Sequence, residues 1–300
     1  MLEKVTVTNH LGETYELPLR TPDESGFAIA SITGLNPPKA NVNFTDSSVL
    51  DGGWYNSARV SQRNIVFTII FLPNASIEEC RHKCYRVFPI KKKVSLVFTT
   101  DERTLTTEGY VESNEATVFS QRTGTTISIL CPNPFFTGIN TVVNTFGAVT
   151  NLFQFPFSNE DLNLPLIEIS SYSTDREINI EYNGELEVGA VFAMDLDGPV
   201  GDISIGDEAG NLMYLDVSKV ETNTGQALGV GDRVVINTIP GQKTVYLIRS
   251  GLRIPIFYCI DRYFEWLLIK PGSNTFYYNA VSGAENIRFT IRYPLYYQGL

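Results

Sequence analysis

Only two histidines, His10 and His82, occur in the 300 residues, so any histidine-based acid–base or metal chemistry must use one of them. His82 lies between Cys80 and Cys84, which invites a zinc reading. The surrounding stretch, SIEECRHKCYRVF at 76–88, argues against it. Ser76 stands where a helix N-cap would, Glu79 follows three residues on as in a capping box, and Pro89 stops the run. On a helix, Ile77, Cys80, Cys84, Val87 and Phe88 share one face while His82 points the opposite way. The two thiols are expected to pack in a core, with no metal between them.

Other reactive residues fare no better. Cys131, in CPNP, would need a histidine base to act as a nucleophile, and a cysteine between an apolar strand and a proline is expected to be buried and inert. Asp195-Leu196-Asp197-Gly198 opens like a calcium loop, but Pro199, Val200 and Gly201 occupy the positions where further ligands belong. A nucleophile elbow, a P-loop and a dinucleotide fingerprint are all missing, and the many carboxylates single out no facing pair for glycoside hydrolysis. The chain is expected not to be an enzyme and to need no cofactor.

The elements that would position such residues are mostly strands. A composition of 43% hydrophobic and 19% charged residues is that of a globular chain long enough for two cores. KVTVTN (4–9), FAIASI (27–32), RNIVFTIIF (63–71), VSLVFTT (94–100), TLTTEGYVES (104–113) and TTISIL (125–130) are rich in Val, Ile, Thr and Phe with turn residues between them. The 76–88 helix is the exception. After CPNPFF (131–136) the texture changes to TGINTVVNTFGAVTN, small, polar and uncharged, which places a connector at 138–150 between domains at 1–137 and 151–300, with Gly147 its expected point of proteolysis. Beyond it, INIEYNGELEV folds about Asn183-Gly184, and RVVINTIPGQKTVYLI and WLLIKPGSNTFYY each fold about a Pro-Gly, so hairpins of an antiparallel sandwich of the jelly-roll or galectin kind are expected. Trp266, in the last of these, is expected to lie in a strand and fill the core.

Charge and targeting narrow the function. Residues 1–150 carry 14 acidic and 13 basic side chains, and 151–300 carry 19 and 10. Eleven carboxylates and a single base, Arg176, lie between Asp175 and Asp216, a surface that repels phosphates, so no sequence-specific nucleic-acid binding is expected. No run approaches the roughly 20 apolar residues of a membrane helix, and MLEKVTVTNH alternates like a strand, so the chain is expected to be soluble, without an export signal or membrane insertion. The four cysteines are scattered, which fits thiols kept reduced in a cytoplasm.

One stretch asks for another explanation. DGGWYNSARVSQRNIVFTIIF sets Trp54, Arg59 and Arg63 at the head of a long β-prone run whose body holds little but apolar residues. Together with IEECRHKCYRVFPIKKKVSLVF, LCPNPFF, IEYNGELEVG, GDRVVINTIPGQKTV, WLLIKPGSNTFYY and IRYPLYYQGL, its order and spacing resemble the distal tail (Dit) proteins of siphovirus-type bacteriophages over nearly the whole chain. The helix departs from that family in carrying two cysteines where bulkier apolar residues are usual. The resemblance implies a mainly β chain: a barrel-like N-terminal domain with one helix that forms a homo-hexameric ring, followed by a galectin-like sandwich. It further implies a structural hub of the virion's tail tip or baseplate, assembled in the host cytoplasm. Its expected partners are the tail tube protein, the tail-associated tip protein, and receptor-binding or baseplate proteins. In such a ring Trp54, Arg59 and Arg63 are expected at the subunit interface, with Asp101, Glu102 or Glu108 of the next subunit facing the arginines, the alternative being that the arginines pair only within their own domain. The alternative is a carbohydrate-binding sandwich acting at the host cell surface.

Overall fold

Alternation decides the first half of the chain. In the computed structural model, which describes residues 1–46, 51–72, 76–117, 123–146, 149–151, 170–172 and 176–300, the expected apolar runs are strands. In chain order they are β1 (Leu2–Thr8), β2 (Thr14–Pro18), β3 (Phe27–Thr33), β4 (Ala40–Asp46), β5 (Gly53–Val60), β6 (Arg63–Phe71), helix α1 (Ile77–Val87), β7 (Lys93–Thr100), β8 (Thr104–Thr117), β9 (Gly124–Cys131) and β10 (Phe136–Gly138). Two compact units result, Met1–Ile139 with Tyr296–Leu300, and Asn140–Leu295.

The main sheet of the first unit runs β2-β1-β7-β8-β9-β6-β3, with antiparallel neighbours throughout. Every second residue of β6, from Arg63 to Phe71, is buried. The buried face meets α1 through Cys80, Cys84 and Val87, and Phe67 packs against Phe88 at 6.0 Å and Phe98 at 6.4 Å between ring centroids. The barrel-like form expected from the sequence is instead an open sheet: among the described residues no ladder joins its end strands, β2 and β3. Ser76 is the N-cap residue of α1, but its side chain makes no capping hydrogen bond. Ile77, on the apolar face by angle, is exposed at the helix's first turn.

The second unit is an antiparallel sandwich, as its hairpin-rich sequence suggests. One sheet runs Val142–Phe146, Ile287–Tyr293, Val191–Leu196, Arg233–Asn237, Thr244–Arg249, Leu252–Pro255; the other runs Glu177–Tyr182, Gly272–Ala280, Ile203–Asp207, Leu212–Leu215. Aromatic pairs join the two layers: Phe192 with Phe276 at 5.8 Å, Tyr278 stacked on Phe289 at 5.2 Å, and Tyr182 edge-on to Tyr293 at 5.7 Å. A short helix, Ser218–Thr224, ended by Gly225 at a φ of 75°, is an element the sequence reading did not find.

Several expected connections differ. Of the three hairpins, only the one about Pro240-Gly241 pairs its own flanks, Arg233–Asn237 with Thr244–Arg249. Glu177–Tyr182 pairs instead with Gly272–Ala280, and Val188–Gly189 with Leu268–Ile269. A turn residue fixes where the chain bends, not which strand it then joins. The 138–150 connector contributes strand Val142–Phe146 to the second unit's sheet, while Gly147 lies outside the described residues. The last five residues belong to the first unit, where Phe136 and Thr137 pair with Tyr297 and Tyr296. Among the described residues no helix is long and apolar enough to cross a membrane.

Candidate assembly interface

The residues singled out by their chemistry are placed by the core, not gathered into a site. Cys80 and Cys84 are buried beneath α1 and His82 is exposed on its other side. Burial pushes the Cys84 thiol up to about 12 and raises that of Cys131, which keeps both protonated and unreactive at neutral pH. Asp195 and Asp197 each face an arginine on a neighbouring strand, Arg233 at 3.4 Å and Arg288 at 2.9 Å, so the Asp-Leu-Asp-Gly run is a cross-strand ion-pair ladder. Trp266 is neither in a strand nor fully buried: it stands half-exposed in the loop before Leu268, against Phe264 and Phe257, with the Lys243 ammonium 5.0 Å from its ring centroid.

The stretch from Trp54 to Phe71 is two strands of opposite character. Among the described residues β4 and β5 pair only with each other, as a two-stranded arm inserted between the core strands β3 and β6. Seven and eight residues long, it extends about 25 Å at roughly 3.3 Å per residue. Its register puts Val42 opposite Ala58 and Phe44 opposite Tyr55 on one face, with the Phe44 and Tyr55 rings edge-to-face at 6.1 Å. The other face carries Asn41 opposite Arg59, Asn43 opposite Ser57 and Thr45 opposite Trp54, where Asn43 Nδ2 donates to Ser57 Oγ at 3.1 Å. A bulge at Asn43/Phe44 keeps these two sets apart.

Among the described residues nothing covers this arm. Trp54 is 67% exposed, Tyr55 63%, Phe44 59% and Val42 46%. A lone two-stranded hairpin is marginal in water, and an exposed apolar face of this kind is the physical signature of a contact surface. Of the three interface residues expected from the sequence, Trp54 and Arg59 lie on this arm.

Arg63 does not, and the expectation for it is corrected. It is 3% exposed, at the first position of β6, and its guanidinium lies 4.3 Å from the Phe136 ring centroid. Nε donates to the Pro134 carbonyl at 2.6 Å, one terminal nitrogen donates to the carbonyls of Gly34 and Asn36 (2.8 Å for the latter), and the other donates to that of Gln298 at 2.5 Å. Among the described residues none of its partners is a carboxylate. Burial without a counter-ion pulls its pKa down, yet four carbonyl dipoles solvate the charge in place of water. Of the three carboxylates expected to face the arginines, two have partners within the unit: Glu108 pairs with Lys93 at 2.7 Å, and Asp101 with the Met1 amino group.

No protein-family model matches the chain, and no curated protein matches it by sequence. Among solved structures, the SPP1 Dit protein, described as a paradigm of the hub adsorption apparatus in phages infecting Gram-positive bacteria, matches with a TM-score of 0.63 at 13% identity, over 97% of this chain and 98% of that one. The chain has the fold of SPP1 Dit. Two structures of the phage P2 baseplate in its activated conformation, with Ca and with Sr, match at a TM-score of 0.47 and 13% identity, over 97% and 96% of this chain and 98% and 97% of theirs. The fold match extends over both units.

Proposed function

We propose that the chain is the structural hub of a bacteriophage tail tip or baseplate, in which six copies close a ring through the first unit. The observation that carries this reading is the exposed β4–β5 arm on a chain whose fold matches a phage hub protein end to end. A ring needs a heterologous contact, in which a projection of one copy meets a different patch on the next, and the arm is such a projection. Trp54 and Arg59 supply an aromatic anchor and a guanidinium fork, the residue types that dominate interface energetics. In this role the ring continues the tail tube on one side and meets the tail-associated tip protein on the other. The sandwich holds receptor-binding or baseplate proteins, and the protein is a virion component put together in the host cytoplasm. The acidic balance of 151–300 suits protein partners over nucleic acid. The role is architectural and needs neither catalysis nor a cofactor.

Electron microscopy of virions carrying an epitope tag on this chain tests the placement. Antibody is expected at the tail tip, at the junction with the tube. Label along the tube or on the head refutes the hub role, and a purified monomer with glycan affinity supports the carbohydrate-binding alternative.

A further inference from the structure

The arm's root is held in an unusual way. β3 ends at Thr33 and the chain turns at Gly34, whose φ of 85° and close approach to the Asn64 backbone leave no room for a side chain. Leu35, Asn36, Pro37 and Pro38 then lead into β4, and β5 returns through Ser61 and Gln62 to Arg63. Arg63 thus sits where the arm re-enters the core, and its guanidinium reaches across to Gly34 and Asn36 where the arm departs.

The same guanidinium holds a third piece of chain. Its bond to Gln298 spans 235 positions, and the segment around Gln298 grips the root again: Leu300 N–H donates to the Leu35 carbonyl at 3.1 Å, and a side-chain carbon added at Gly299 would lie 3.0 Å from Pro37 Cδ and 3.1 Å from the Leu35 oxygen. Arg103 fastens the segment from behind, donating to the Gly299 carbonyl at 3.1 Å with its guanidinium over the Tyr297 ring. Beside the root lies an open cleft of about 400 Å³, bordered by Pro37, Pro38, Lys39, Gln62 and Asn64, so on that side the arm has no packed support.

From this geometry we infer that Arg63 and the segment Tyr296–Leu300 form a clamp that fixes the direction in which the arm leaves the first unit, making Arg63 a positioning residue for the assembly interface. The inference rests on the hub reading for its consequence but not for its mechanics. The segment follows the second unit's last long strand, Ile287–Tyr293, in the chain.

Hydrogen exchange on the full-length protein tests it, with Arg63→Gln and Gly299→Ala as the two perturbations. Both variants are expected to raise exchange at least tenfold in peptides covering 34–46 and 53–62, with β7, β8 and β9 unchanged. Combined, they should give less than the product of the two single effects, because both open one clamp. If Arg63→Gln fails to fold, Gly299→Ala decides, since it acts on Leu35 and Pro37 without touching the guanidinium. Exchange at the root equal to that of the native protein in Gly299→Ala, or raised equally in the core strands, overturns the clamp. The native protein's mass is a separate reading: a monomer with a clamped arm removes the hub role and leaves the clamp standing.

Discussion

β5 and β6 are consecutive strands separated only by Ser61 and Gln62, and they have opposite fates. In β6 every other side chain is buried, whereas seven of the eight residues of β5 are exposed and the last is half-buried. Both are β-prone and both are fully laddered on at least one edge. Strand formation therefore says nothing about burial. β6 is stabilised by the apolar area its alternate residues remove from water, whereas β5, among the described residues, pairs with β4 alone and relies on its cross-strand pairs. The sheet is a packed platform, and the arm is a projection whose apolar residues no described residue covers.

Substitutions can break this contrast. Phe67→Ala in β6 should cost about 3–5 kcal/mol, the usual penalty for a large core cavity, and appear as a marked fall in the denaturation midpoint. Removing Cys80 and Cys84 together by alanine deletes two small buried groups under α1 and should cost less than Phe67→Ala, with no change in zinc content, which metal analysis reads directly. Trp54→Ser with Tyr55→Ser on the arm should change the stability of the isolated chain by no more than about 0.5 kcal/mol while abolishing association. Arg59→Glu reverses a charge on the same exposed arm and should behave alike, its effect weakening as salt rises.

The smallest effect expected belongs to a surface network. Arg86, Asn9 and Tyr15 hydrogen-bond the Glu13 carboxylate and hold its pKa at about 2, against an ordinary value of 4.5. A depressed carboxyl pKa stabilises the fold at pH values above 4.5, and that contribution fades as pH falls from 4.5 towards 2. Glu13→Gln should thus be slightly less stable than the native chain at pH 7 and equal to it near pH 2, with the difference reduced by salt. A gap that widens on acidification would contradict the network's sign.

Much of the platform was legible in the sequence, and the reasons differ from element to element. RNIVFTIIF is, after Arg63 and Asn64, an apolar, β-branched and aromatic run broken only by Thr68, and β6 occupies those nine positions. Apolar spacing and Pro89 mark the helix at 76–88, although the Ser76 side chain of its capping box makes no capping hydrogen bond. β4 went unread because Ala40–Asp46 has neither a buried stripe nor a strongly β-prone composition. Arg63 reads as an interface residue beside Arg59 because the two alternate with Val60 and the strand's apolar residues; the carbonyls of Gly34, Asn36, Pro134 and Gln298 that bury it come from distant parts of the chain and leave no local signature. The return of Tyr296–Leu300 to the first unit is hidden for the same reason, since it depends on pairing with Phe136 and Thr137.

The central claim is that the exposed arm exists to join copies of this chain, and light-scattering mass on the native protein beside the Trp54→Ser, Tyr55→Ser variant tests it most directly. The account predicts six chains for the native protein and one for the variant, with superimposable circular dichroism spectra. A native protein that remains a single chain at micromolar concentration, or a variant that still closes into six, would contradict it.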